Sequence, residues 1–337
     1  MSKKLLNILS IALIYCGAVF GAGFASGREI FSFFSCYKMG GIVASVFAGF
    51  LFSFFGYTVS KYAKKKNIVN AEEYFMNIFP KGLAKFFAIL ANAFLVLSFC
   101  IMITGCGTLF YEQFGVTHTA GAVVSLVICF AVIKKNVKGL GIFNAVATPV
   151  MLLGVVLLCV LCMMLPKVSA ITLDEIGMPA VSGLLYVSYN MVSGVAVLIA
   201  GARLAENPKE AALGGALGGV LIGVPLVLMS VVLGYHWEVA SFDLPFFGLI
   251  YSNFPLLGVV CWGVLYLAMM TTAVSSGVAV LDNVSNQKSS KGAFLLCFLA
   301  LLMSFVPFTT LVQTIYSAFG FIGIALIVGI FIKILRK

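Results

Sequence analysis

Long apolar stretches recur along the whole sequence and are separated by short polar connections. A helix needs about 20 mostly apolar residues to cross the hydrocarbon core of a bilayer. Windowed hydrophobicity therefore predicts ten membrane spans. They cover residues 6–34, 40–62, 83–112, 119–133, 140–165, 178–203, 210–234, 255–283, 292–306 and 308–335. The pattern predicts an all-α, multi-pass protein of the cell membrane, with residues 1–337 forming a single integral domain.

The basic residues support this count of spans. If the N-terminus is cytoplasmic, 18 of the 21 Lys and Arg residues fall on the cytoplasmic side, as the positive-inside rule requires. They are Lys3, Lys4, Lys61, Lys64, Lys65, Lys66, Lys81, Lys85, Lys134, Lys135, Lys138, Arg203, Lys209, Lys288, Lys291, Lys333, Arg336 and Lys337. One missed span would scramble this distribution. Both termini are therefore expected in the cytoplasm.

Composition narrows the class of protein further. The chain is 62% hydrophobic and 9% charged, whereas a soluble domain is about one quarter charged. The net charge of +10 follows from topology and predicts contact with anionic lipids, not with nucleic acid. The nine cysteines lie almost entirely in apolar segments, where they are expected to pack as small hydrophobes. Lys3 and Lys4 precede an apolar run that is too long for a cleaved signal peptide.

The first span contains a predicted interruption. Four glycines, Gly17, Gly21, Gly23 and Gly27, precede the adjacent charges Arg28 and Glu29. Helix backbone in hydrocarbon must satisfy its own hydrogen bonds, so such a break is expected only where protein or a polar cavity surrounds it. Close helix packing is the alternative for these glycines, and it is the favoured explanation for Gly214, Gly215, Gly218 and Gly219 in the seventh span.

A second interruption is predicted five spans later. There the sixth span places Tyr186, Ser188, Tyr189, Asn190, Ser193 and Gly194 at mid-membrane depth. Polar residues at that depth are costly and indicate a site. With five spans per half, the halves have opposite orientation, which is typical of inverted-repeat transporters with discontinuous helices. The expected repeats cover about residues 5–165 and 178–335.

The string "FGAGFASGREI" (residues 20–30) resembles the opening motif of the YkvI-type amino acid permeases in the amino acid–polyamine–organocation superfamily. The ten-span pattern extends this resemblance over the whole chain. It implies a LeuT-like 5+5 inverted repeat in which helices 1 and 6 unwind around the substrate. A half-helix that begins near Gly21, Ala22 and Gly23 would present amide N–H groups to a substrate carboxylate. Tyr186, Tyr189, Asn190 and Ser193 would bind an ammonium group, and Thr104 would border the pocket.

An ion site is implied by the same resemblance. The segment "TTAVSSGVAV" is similar to one that completes a sodium site in sodium-coupled relatives, so Thr272, Ser275 and Ser276 would face the carbonyls of Gly17 and of Val19 or Phe20. The serines could instead bond to their own helical turn. Proton-coupled relatives use a lysine in the fifth span, which this chain lacks. Sodium is therefore the preferred coupling ion, and no other cofactor or metal is expected.

Arg28 corresponds to an extracellular gate residue in these relatives. Its usual acidic partner in the tenth span is missing, so Glu29 or Asp243 could replace it, or Arg28 could reach the membrane interface. The aromatic segment "YHWEVASFDLPFFGLIYSNFP" resembles the outer lid of this fold.

The expected function is sodium-coupled symport of a small zwitterion, most simply an amino acid, by alternating access. Alternatives are a proton-coupled or uncoupled carrier of an amine or betaine, and a non-transporting membrane sensor. A channel would need a continuous polar stripe, and an enzyme would need an acid–base or metal constellation, neither of which the sequence shows. The oligomeric state stays open.

Overall fold

The computed structural model describes residues 3–134, 140–168, 178–284 and 290–335, and these ranges contain helices and their connections. The first half contains α1 (Lys3–Val19), α2 (Ala22–Ala25), α3 (Arg28–Phe33), α4 (Lys38–Lys66), α5 (Ala71–Ile78), α6 (Lys81–Phe114), α7 (His118–Lys134) and α8 (Leu140–Cys162). The second half contains α9 (Pro179–Ala202), α10 (Pro208–Tyr235), α11 (Pro245–Asn253), α12 (Pro255–Val284), α13 (Ser290–Met303), α14 (Phe308–Leu311) and α15 (Ser317–Leu335). The predicted inner-loop residues Lys135, Lys138 and Lys288 lie outside the described ranges.

Six helical stretches in the described ranges are long and apolar enough to cross a membrane, by length and composition. Shorter apolar helices at His118–Val132, Thr148–Cys162 and Lys291–Met303 match three further predicted spans. The multi-pass, all-helical class is thus confirmed. The count of ten spans, the two repeats and the cytoplasmic termini stay predictions.

The predicted interruption of the first span is present. The α-helix ends at Val19, resumes for one turn as α2, and begins again at Arg28 after a turn at Gly27. Gly27 has φ = 81°, a left-handed conformation that side chains disfavour. A Cβ at this position would also lie 2.7 Å from the Cβ of Phe246. The chain therefore needs glycine here to turn between α2 and α3.

The predicted interruption of the sixth span is wrong. Helix α9 runs without a break from Pro179 to Ala202. Three of its polar side chains, those of Ser188, Asn190 and Ser193, bond to carbonyls of their own helix, which leaves the backbone ladder intact. Asn190 Nδ2 donates to the Tyr186 carbonyl at 2.9 Å, and Ser188 Oγ donates to the Leu185 carbonyl at 2.9 Å. The polar side chains of Ser188 and Asn190 are therefore accommodated in a continuous helix and do not indicate that it unwinds.

Helices α1, α4, α9 and α10 pack against one another, while α6 packs with α7, α12 and α13. Glycines allow the closest approach, which is between α4 and α10. A Cβ added at Gly56 would lie 2.2 Å from the Gly215 carbonyl oxygen, and one at Gly219 would lie 2.2 Å from the Ser53 nitrogen. The structure therefore gives Gly215 and Gly219 the packing role that their spacing predicts.

Candidate functional site

The first element of the site is the backbone between α1 and α2. The Gly21 N–H donates to the Val19 carbonyl at 2.8 Å, whereas a continuous helix would direct it to the Gly17 carbonyl. Helical pairing resumes when the Ala25 N–H donates to the Gly21 carbonyl at 3.0 Å. The break therefore redirects main-chain polar groups where α2 packs against α6 and α12.

The second element is the side chain of Glu29, which folds back against α2, next to this break. A Cβ at Gly23 would lie 2.0 Å from Glu29 Oε1, so the carboxyl lies directly against the Gly23 backbone. Glu29 is only 3% exposed. The Tyr189 hydroxyl of α9 donates to Glu29 Oε2 at 2.6 Å. Two predicted substrate residues, Gly23 and Tyr189, thus contact the same Glu29 carboxyl. This carboxyl lies beside Gly23, where the carboxylate of a substrate was expected.

Aromatic rings surround the same carboxyl. The Tyr189 ring stacks on Tyr316 with centroids 4.7 Å apart, and Phe33 lies 5.7 Å from it on another side. Tyr186 meets Tyr189 edge to face at 5.4 Å. The Tyr186 hydroxyl is fully buried, interacts with the Glu29 carboxyl and has no hydrogen-bond partner within bonding distance among the described residues. The result is a polar centre enclosed by aromatic faces.

Sequence reasoning missed Tyr316. It lies in a π-helical segment, Val312–Tyr316, between α14 and α15. Such insertions recur at functional sites because the extra residue re-aims side chains. The first part of the tenth span contains several polar residues, but its mean hydropathy is still that of a membrane span, so hydropathy did not single out Tyr316. The aromatic and amide residues Gln313 and Tyr316 within that span were the only hint.

The other predicted substrate residues have local partners. Thr104 Oγ1 donates to the Cys100 carbonyl at 3.0 Å, and Ser193 Oγ donates to the Asn190 carbonyl at 3.4 Å. Gly21 is buried and Ala22 begins α2, though the Ala22 side chain is outside what the structure describes. Their predicted roles in substrate binding stay predictions.

The predicted ion site falls on two elements. Thr272, Ser275 and Ser276 lie on α12, which packs against α2 and so approaches the break. Val19 and Phe20 are buried at the end of α1. Gly17 instead lies against α8, because a Cβ there would be 2.5 Å from Thr148 Oγ1. Sodium coordination by these residues stays a prediction.

The segment predicted to form the outer lid comprises a 3₁₀ turn, Trp237–Ser241, and α11. Arg28 binds its main chain: Nε donates to the Asp243 carbonyl at 3.1 Å, and Nη2 donates to the Ala240 and Phe242 carbonyls. The Asp243 carboxylate accepts from Thr309 instead of pairing with Arg28. Glu29 faces Tyr189, on the other side of α3, so it does not replace the missing acidic partner of Arg28 as the sequence had suggested. Arg28 therefore contacts the lid through carbonyls.

We expect Arg28→Ala to loosen this lid. A hydrogen bond from a charged donor contributes about 1.5–3 kcal/mol, so loss of the guanidinium should speed local opening by roughly tenfold or more. Hydrogen exchange followed by mass spectrometry should show faster exchange in residues 237–253. Arg203→Ala, at the exposed end of α9, is the matched control and should leave that exchange unchanged. Unchanged lid exchange in Arg28→Ala would contradict the assignment.

A cavity of ≈ 210 Å³ lies beside the aromatic centre. It is lined by Ser32, Phe33, Tyr37, Met178, Val181, Ser182, Leu185, Gln313 and Ser317. Phe33 is shared: its ring lines the cavity and also contacts Tyr186 and Tyr189. One aromatic side chain therefore separates the cavity from the tyrosines that surround Glu29.

Comparison with known proteins gives relatives over almost the whole chain. No family model matches. The chain is 24% identical to the uncharacterized membrane protein YkvI of Bacillus subtilis (strain 168) over 341 residues, covering 96% of this chain and 95% of that protein. It is also 24% identical to the uncharacterized protein YyaD of the same organism over 330 residues, with 94% of each covered. These matches support the resemblance to YkvI but do not establish an amino acid permease.

Solved structures show which fold this is. The inward-facing conformation of Mhp1 superposes with a TM-score of 0.64 at 13% identity, covering 94% of this chain and 73% of that one. A manganese transporter of Eremococcus coleocola gives 0.58 at 13% identity, covering 97% and 78%. A Na⁺-coupled sialic acid symporter gives 0.54 at 13% identity, covering 93% and 75%. The chain has the LeuT-like fold of these membrane transporters.

Proposed function

We propose that this protein is a secondary transporter of a small organic solute that bears an amine group. The observation that supports this most directly is the interrupted first helix with the buried Glu29 carboxyl lying across it and bonded to Tyr189. In a rocking-bundle mechanism, a solute bound between a broken helix and its neighbour is exposed to the two sides of the membrane in turn.

An organic solute fits the site better than a metal ion does. The similar structures include a manganese transporter and a sialic acid symporter, so the fold alone does not choose a cargo. In the ranges that the structure describes, no group of three or more His, Cys, Asp or Glu residues could hold a metal ion. Aromatic faces and one carboxyl are instead suited to a small organic cation or zwitterion.

An amino acid is the simplest such zwitterion. Its ammonium group would meet Glu29 and the tyrosines, and its carboxylate would meet the amide groups near Gly21. Sodium is the first coupling ion to test, because α12, which carries Ser275 and Ser276, packs against α2 of the interrupted helix, and one similar structure is a Na⁺-coupled symporter. Coupling to protons is the second candidate, because Glu29 is a buried acid within the first span.

Counterflow in proteoliposomes tests the proposal. Liposomes loaded with an unlabelled panel of amino acids, amines and betaines should accumulate the corresponding labelled solute, in sodium and not in choline medium if sodium is the coupling ion. Ser276→Ala should then weaken the sodium dependence. Thr271→Ala is the matched control, since Thr271 Oγ1 donates to the Ala268 carbonyl of its own helix at 2.8 Å.

Counterflow that is equal in sodium and choline media would exclude sodium as the coupling ion but would still support transport. Specific binding of a panel solute without any counterflow would instead favour the alternative of a membrane sensor on this fold.

A further inference from the structure

Glu29 is a buried acid without a cationic partner. Within the described ranges, the ion pairs join Lys3 to Glu206 and His236 to Glu238, and none involves Glu29. The adjacent Arg28 points to the carbonyls of the lid. The titratable groups that face the Glu29 carboxyl are the hydroxyls of Tyr186, Tyr189 and Tyr316.

The neighbouring elements supply no hidden counter-charge. Helix α3 packs against α2, α9, α10, α11, the π segment and the 3₁₀ turn Ser35–Tyr37. Of these, α2, α11, the π segment and the 3₁₀ turn have no charged residue, and the charges of α10 are confined to its first turn, at Lys209 and Glu210. Helix α9 has none between Pro179 and Ala202.

A carboxylate is costly to bury unless a proton neutralises it or a cation pairs with it. The surroundings favour an organic cation as the second partner. The hydroxyls of three tyrosines face the carboxyl, and the buried Tyr186 hydroxyl has no hydrogen-bond partner among the described residues, so it can accept from an ammonium group. An ammonium group would donate both to Glu29 and to this hydroxyl.

We infer that Glu29 is the receptor for the ammonium group of the transported solute and holds a proton whenever that group is absent. This inference rests on the proposed transport function and specifies its substrate class. The ammonium and the proton compete for one carboxyl, so each solute that binds displaces a proton. The exchange balances charge within the site whether or not sodium binds elsewhere.

The cavity beside Phe33 offers a path for that solute. Ser32 and Gln313 line it, with Gln313 Nε2 donating to Ser32 Oγ at 3.5 Å across its wall. A solute in this cavity is one ring away from Tyr186 and Tyr189. Rotation of Phe33 would join the cavity to the Tyr186 and Tyr189 rings, whose hydroxyls face Glu29.

Three related probes show whether the ammonium or the carboxylate group of a solute is recognised. They are leucine, its decarboxylated form isoamylamine, and its deaminated form 4-methylpentanoate. Alanine, ethylamine and propanoate form a smaller set. In a thermal-shift assay, the ammonium-bearing probes of at least one set should stabilise the protein and the carboxylate-only probe should not. Glu29→Gln should weaken this binding at least tenfold, because a neutral amide cannot replace a charged acceptor. Glu72→Gln, which removes an exposed carboxyl on α5, is the matched control.

Proton release gives an independent readout. Calorimetric titration with the stabilising amine, repeated in phosphate and in Tris buffer, should report about one proton released per amine bound. Glu29→Gln should release none. Glu29→Asp keeps a carboxyl and should still release a proton with weaker affinity, which covers the case in which the glutamine variant does not fold.

Three results would overturn the inference. In the first, the carboxylate-only probe stabilises the protein, and does so more strongly in Glu29→Gln. In the second, an amine binds without release of a proton. In the third, no ammonium-bearing probe stabilises the protein. In each case counterflow of some panel solute would leave the proposed transport function standing. Absence of all counterflow together with amine binding would instead count against transport and not against the role of Glu29.

Discussion

Gly219→Val should prevent α10 from packing against α4. A Cβ at this position would lie 2.2 Å from the Ser53 nitrogen and 2.3 Å from the Ser53 Cα. Both atoms belong to the backbone of a long helix, so they cannot move aside as a side chain would. Overpacking typically costs about 1–3 kcal/mol and more where backbones meet. For a chain of 337 residues, that corresponds to a fall of roughly 2–5 °C in melting temperature.

Gly154→Val is the matched control for this prediction. Gly154 lies within α8, and nothing comes within 4 Å of a Cβ added there. Its melting temperature, followed by size-exclusion chromatography of heated, detergent-solubilised protein, should stay close to that of the wild type. Equal melting temperatures for the two variants would show that the two helices can separate without loss of stability.

The membrane helices follow from the sequence because hydrophobic burial in a bilayer is a property of whole segments. The seventh span, predicted at 210–234, is α10 at Pro208–Tyr235. Its ends are set by local signals: the Asn207 side chain accepts from the Glu210 N–H at 3.0 Å, which caps the first turn. The length of an apolar segment predicts the helix and the capping residues predict where it begins, and both can be read from a single sequence.

The first interruption was predictable because several glycines and a charged pair coincide within one span. The supposed second interruption was not, because polar residues in a span have two uses. Asn190 satisfies its own helix, while Tyr189 reaches across to α3. Sequence alone does not distinguish a residue that bonds within its helix from one that bonds to a neighbour, so it placed a break where α9 is continuous.

The role of Glu29 was missed for a related reason. Its neighbour Arg28 suggested a charged pair at the outer gate, whereas residues adjacent on a helix point in different directions. Arg28 meets the lid, and Glu29 turns inwards to Tyr189. Gly23 was the available signal, because a glycine six residues before a buried acid leaves room for that acid to fold back.

Gly23→Ala should slow transport strongly while the protein stays folded. A Cβ at Gly23 would lie 2.0 Å from Oε1 and 2.6 Å from Cδ of Glu29, so the carboxyl must leave its place against the break. The clash involves the end of a flexible side chain, which can rotate, so stability should change little. Loss of the Tyr189–Glu29 hydrogen bond should lower the counterflow rate by at least about tenfold, because hydrogen bonds to charged groups contribute about 1.5–3 kcal/mol.

Gly194→Ala is the matched control, because an added Cβ there would make ordinary contacts of 3.6 Å with Tyr15 and 3.7 Å with Met191. It should retain counterflow. If Gly23→Ala instead lowered the melting temperature as much as Gly219→Val does, Gly23 would be a packing glycine and the carboxyl would not depend on it. Loss of transport at unchanged stability, with Gly194→Ala still active, would show that transport requires the Glu29 carboxyl in its place against Gly23.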